Sequence, residues 1–100
     1  MDEIIHQSLR LRIMATLNAL QSGEMLDFTR LRHMLEATDG NLGAHLTTLE
    51  KAGYIAIDKS FEARKPRTQV MITEQGRRAF AAHVAELRAL LVSTNETTNK

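Results

Sequence analysis

Residues Thr38 to Tyr54, TDGNLGAHLTTLEKAGY, decide how this chain is read. Leu42, Leu46 and Leu49 fall at i, i+4 and i+7, which fixes the buried face of a helix. At about 100° per residue, the opposite face carries Gly40, Ala44, Thr47, Thr48 and Lys51, with Asn41 and His45 at its borders. Thr38 or Asp39 caps its start, and Gly53 stops it. One side is therefore packed, and the other is small and polar, a shape suited to the floor of a DNA major groove.

The flanking segments build a setting for that helix. Upstream, Phe28, Leu31 and Leu35 give a shorter helix capped by Asp27, with only a tight turn before the next cap, and two helices joined this way form a helix-turn-helix. Before it, Leu9, Ile13, Leu17 and Leu20 set a first helix over about Ile5 to Gln21, closed by Ser22 and Gly23, with a brief strand at Met25 and Leu26. Downstream, Tyr54 to Lys59 alternates as a strand, Ser60 to Pro66 reads as a loop, and Thr68 to Thr73 returns. Thr73 caps a last helix reaching about Val92. Gly76, early in that helix, is unfavourable there unless the helix passes close to a neighbour.

The expected fold is mainly α with a small β-hairpin wing, in the order helix, helix, helix, hairpin, helix. Residues 1–8 are a frayed lead-in, 9–92 the folded domain, and 93–100, ending STNETTNK, a disordered tail.

Composition narrows the function. One hundred residues suit one domain, and with aromatics at 4% aliphatic helix packing must carry the core. The absence of cysteine excludes disulfides, thiol redox sensing and cysteine-ligated zinc. No run approaches the length of a bilayer span and no leader is visible, so a cytoplasmic location and no membrane contact are expected. A net charge of +1 says little, but Lys59, Arg64, Lys65 and Arg67 gather on the hairpin against one Glu62. Phosphate loops, nucleophile elbows and paired carboxylates are missing, so no enzyme and no cofactor are expected. His83 and Glu86 stand one turn apart on the last helix, a spacing that could share a metal across a dimer, but no metal site is assigned.

The strings LDFTRLRHMLEATDGNLGAHLTTLEKAGYI (residues 26–55) and ITEQGRRAF (residues 72–80), around a basic hairpin, resemble those of winged-helix regulators of bacteria and archaea. The likeness is to the broad multiple-antibiotic-resistance and arsenical-resistance repressor type, and it runs from about Leu9 to Leu91. The resemblance implies a homodimer on a pseudo-palindromic operator, with the third helix in the major groove and the wing on flanking backbone or minor groove. The matching positions are Asn41, Ala44, His45 and Thr48 on the helix, and Arg64, Lys65 and Arg67 on the wing. Gly43 departs from the serine such helices often carry, removing a possible phosphate contact.

The residues themselves fit these roles. Asn41 can pair bidentately with adenine, Ala44 can approach a thymine methyl, and Thr48 offers a hydroxyl. Arg64 and Arg67 carry the planar fork that grips phosphate, while Lys51 and Lys59 act as point charges. Phe80, Val84, Leu87 and Leu91 are spaced four, three and four apart, a short two-helix seam, joined by Leu9 and Ile13 of the first helix. Arg77 and Arg78 point towards DNA or an acidic partner. Met14 and Met25 are candidates to line a pocket for an unidentified small-molecule effector between the first and last helices. The expected function is a sequence-specific double-stranded DNA-binding transcriptional regulator, a repressor acting as a homodimer. The alternative is a winged-helix protein–protein interaction module without direct DNA binding.

Overall fold

The computed structural model describes residues 2–5 and 7–98, with side chains through residue 93. Met1, His6, Asn99 and Lys100 of the expected lead-in and tail lie outside the described residues. The elements are α1 (Ser8–Asn18), β1 (Leu26–Asp27), α2 (Phe28–Leu35), α3 (Asp39–Lys51), β2 (Ile55–Glu62), β3 (Lys65–Ile72) and α4 (Glu74–Thr98). The strands form one antiparallel sheet ordered β1-β3-β2, with Leu26 opposite Val70 and Ile55 opposite Ile72.

The helices start where the sequence places their caps. Asp27 Oδ2 accepts the Thr29 amide at 3.0 Å, and Thr38 Oγ1 accepts that of Asn41 at 3.1 Å. At the head of α4, Thr73 Oγ1 accepts the Gly76 amide at 2.9 Å and donates to the Gly53 carbonyl at 2.7 Å. Each cap is worth about 1 kcal/mol. Burial outweighs it: a fully buried Leu or Ile contributes about 1.5–3 kcal/mol. The core holds Ile13, Met14 and Leu17 of α1, Leu31 and Leu35 of α2, Leu42, Leu46 and Leu49 of α3, and Ile55, Val70 and Ile72 of the sheet. Packing therefore sets the architecture, and caps set the helix boundaries.

Gly76 has the close approach its position demands. A Cβ there would lie 2.0 Å from the Tyr54 carbonyl oxygen, which also accepts the Thr73 amide at 3.0 Å. The end of α3, both inner ends of the hairpin and the start of α4 thus meet at one joint.

Several expectations are corrected. The lead-in is anchored: Ile5 is fully buried, and the Asp2 carboxylate accepts from the Ile4 and Ile5 amides and from Tyr54 Oη at 2.7 Å. Burial pushes the Asp2 carboxyl up, but the Tyr54 hydroxyl, the two amides and nearby His83 outweigh it and hold it below its ordinary value. The same hydrogen bond, with burial and the Asp2 charge, raises the Tyr54 phenol. The first helix is shorter than its apolar period, because that period continues into non-helical segments at both ends. α4 continues through Ser93 to Thr98 instead of giving way to a disordered tail, since no glycine or proline after Gly76 stops it. Ser60 to Pro66 is not a loop. Pairing runs outward to Glu62 opposite Lys65, closed by a two-residue turn at Ala63 (φ 51°) and Arg64 (φ 68°). Two left-handed residues give the twist a tight hairpin needs, at about 1 kcal/mol or more each for non-glycine residues.

Candidate nucleic-acid interface

The helix-turn-helix is fixed by contacts that leave the outer face of α3 clear. α2 ends on Glu36 in the left-handed conformation (φ 53°). Arg32 Nε lies 2.8 Å from Asp39 Oδ1, tying α2 to the first turn of α3. Arg12 Nη2 donates to the Leu35 carbonyl at 3.2 Å, tying α1 to the end of α2.

On α3, Asn41, Ala44 and Lys51 are exposed, while His45 and Thr48 are half-buried. Thr38 supplies the first-turn hydrogen bond, so the Asn41 side chain is left without a partner among the described residues and open to a base edge. The Thr47 and Thr48 hydroxyls donate back to the Gly43 and Ala44 carbonyls at 3.0 and 3.3 Å, which leaves their lone pairs outward. A Cβ on Gly43 would meet nothing within 4 Å, so packing does not require glycine there. No large hydrophobe is exposed on α3.

The hairpin has two faces, because strand side chains alternate. Ile55, Ile57, Lys59 and Phe61 share one with Ile72, Val70, Thr68 and Pro66. This face turns towards α3: a cleft of about 270 Å³ is lined by Ile57, Lys59 and Thr68 together with Phe28, Gly43, Leu46 and Thr47. The other face carries Glu62, Lys65 and Arg67. There Arg67 is held by a hydrogen-bonded ion pair to Glu62, and its Nε lies 3.6 Å from Asp27 Oδ1. Of the four wing cations, Lys59, Arg64 and Lys65 are exposed and make no ion pair among the described residues, whereas Arg67 ties the wing to the residue that caps α2.

The residues expected at a dimer seam are dispersed. Ile13 is fully buried in its own protomer, and Leu9 and Phe80 pack against the core. Val84 and Leu87 are half-buried, while Leu91 is 64% exposed beside exposed Leu90 and Val92. His83 is buried and cannot share a metal with Glu86 across a dimer; an i, i+3 spacing does not say which face of a helix packs inward. Met14 lies in the core, whereas Met25 lines a cleft with α2 and β3 and not one between the first and last helices. Arg77 faces neither DNA nor an acidic partner, because its guanidinium donates to the Asn18 and Leu20 carbonyls at 3.0 and 2.9 Å and closes the end of α1. Arg78 is exposed.

Sequence reading missed two features. One is the Asp27–Arg67–Glu62 tie, which register alone reveals. The other is Phe61, 77% exposed near the wing tip, which the alternation from Ile55 and Ile57 could have placed.

The family model of the winged helix DNA-binding domain matches residues 9–91. An uncharacterized protein of Methanocaldococcus jannaschii is 35% identical over 88 residues, covering 88% of this chain and 92% of that protein. A transcriptional regulator homologue from Pyrococcus horikoshii superposes with a TM-score of 0.84 at 29% identity, covering 93% of this chain and 89% of its own. A structure assigned to the MarR family of regulators, from Porphyromonas gingivalis, has a TM-score of 0.69 at 16% identity, covering 90% and 83%, and at that identity it speaks to the fold alone. No helix among the described residues is long and apolar enough to cross a membrane.

Proposed function

The chain belongs to the winged-helix DNA-binding domain family, and from that premise we propose that it is a sequence-specific transcriptional repressor acting as a homodimer on a pseudo-palindromic operator. The observation that carries the reading is the outer face of α3. It is rigidly backed by Leu42, Leu46 and Leu49, carries no large hydrophobe, and adjoins a wing bearing free cations. A protein-docking face would more often show aromatics or large aliphatics.

In this reading Asn41, Ala44, His45 and Thr48 meet base edges in the major groove, and Lys51 lies on phosphate beside them. Lys59, Arg64 and Lys65 hold the flanking backbone. Arg67 acts at one remove, setting the angle of the wing against α2. Dimerisation falls to α4 from Val84 onward, where a stripe runs from half-buried Val84 and Leu87 to exposed Leu91. A twofold axis there places the two α3 helices about 34 Å apart, one DNA turn. Repression follows from occlusion of a promoter.

Fluorescence anisotropy tests this, using a labelled duplex from upstream of the chain's own gene and a scrambled control across a salt series. The expected result is specific binding that falls by about 10³–10⁵ between 50 and 200 mM salt. Equal binding to both duplexes would remove sequence specificity. No binding to either would turn the reading to the protein-interaction module. Transcription raised by the bound protein would overturn repression.

A further inference from the structure

The least expected residue on the wing is its aromatic. Phe61 is 77% exposed, on a segment from Asp58 to Pro66 in which no side chain is buried, so it contributes nothing to the core. Its cross-strand partner is Pro66. With Glu62 and Lys65 flanking the tight turn as a hydrogen-bonded pair, Phe61 and Pro66 form the next, non-hydrogen-bonded pair. Side chains approach most closely at such a pair, and the missing N–H of proline costs the ladder nothing. The ring and the pyrrolidine thus make one stiff apolar ridge.

The direction of this ridge is set by the face it belongs to. Along that face, going outward, come the buried pair Ile55–Ile72, half-buried Ile57 opposite buried Val70, then Lys59–Thr68 at the mouth of the cleft beside α3, then Phe61–Pro66. The ridge stands about 7 Å beyond Lys59, on the face of the hairpin that meets the Gly43–Thr47 flank of α3. Unpaired Lys59 lies inside it and unpaired Arg64 beyond it, whereas the anion of Glu62 is neutralised by Arg67 on the opposite face.

We propose that the Phe61–Pro66 ridge is an apolar wedge that enters the DNA minor groove beside the site read by α3, with Lys59 and Arg64 on the two phosphate rails. The proposal rests on the DNA-binding reading above. An apolar wedge makes no hydrogen bond to a base edge. It selects flanking sequence by how readily a step unstacks, favouring flexible TA and CA steps over stiff A-tracts.

The chain contains no tryptophan, so Phe61→Trp places a unique fluorophore at the ridge. Binding to 24-bp duplexes is followed independently through a fluorescein on the DNA. On saturation with a TA-flanked duplex at low salt, the indole should be quenched and become protected from acrylamide. Phe61→Ala should lower affinity for TA-flanked duplexes by about tenfold while leaving A-tract-flanked ones little changed. Unchanged thermal melts for both variants would show that the fold is intact. An indole that stays open to acrylamide on saturated DNA overturns the wedge while leaving DNA binding in place, and gives Phe61 to a protein partner instead. Failure of the fluorescein signal with every duplex overturns the wedge and the DNA-binding reading together.

Discussion

α3 and the wing form one surface from opposite materials. α3 has three leucines in the core, a side-chain cap at its start, a glycine stop and an ion pair to α2. The hairpin beyond Asp58 has no buried side chain and is held by its ladder, by a strained two-residue turn and by the pairing of Arg67 with Glu62 and Asp27. A surface that must read hydrogen-bond patterns needs fixed positions, because a bidentate contact tolerates little displacement. One that meets phosphates and groove walls can adjust. The difference in anchorage therefore divides the labour: sequence to α3, general affinity and DNA shape to the wing.

The largest test of that division is stability. Leu49→Ala should cost about 2–5 kcal/mol in urea unfolding, whereas removing a hydrophobe of comparable size from the wing, Phe61→Ala, should cost no more than about 1 kcal/mol. Comparable losses would mean that the wing is part of the cooperative core. Next in size is the effect on binding. Asn41→Ala should relax discrimination by about 1–3 kcal/mol with an unchanged salt slope, while Arg64→Ala should weaken all duplexes alike and lower that slope by about 1. If both variants behave the same way in the anisotropy series, the two surfaces do not divide the work. The smallest effect is an exchange of the same two residues in opposite senses. Gly43→Ala should stabilise the protein by about 0.5–1 kcal/mol, because its Cβ enters open space on a helix. Ala63→Gly should gain about 0.5 kcal/mol by relieving a left-handed alanine. Thermal melts of the pair would show whether the helix and the turn each carry this local cost.

The same contrast explains what the sequence could say in advance. The helix-turn-helix was legible because Leu42, Leu46 and Leu49 repeat at a helical period and Asp27, Thr38 and Thr73 are residue types with a capping chemistry. Gly76 announced a close approach because few other reasons put glycine early in a helix. The outer hairpin was not legible: Ser60 to Pro66 is polar and contains proline, and only pairing with the returning strand makes it β. Ile13 and Arg77 were misplaced for another reason. A helical stripe identifies an apolar face, but whether that face meets its own protomer or a second copy depends on tertiary packing that spacing does not encode. Ile5 escaped because one anchored residue has no period at all.

The joint at Gly53, Tyr54, Thr73 and Gly76 fixes the direction in which α4 leaves the domain. A helix of 25 residues such as α4 is about 37 Å long, so a tilt of about 5° at its head corresponds to about 3 Å at its far end. The carbonyl of Tyr54 fills the space a Cβ on residue 76 would need, and α3 ends on the same few atoms. A small angle at this joint therefore corresponds to a much larger distance at the far end of α4, so the direction of the whole helix is set by these few contacts.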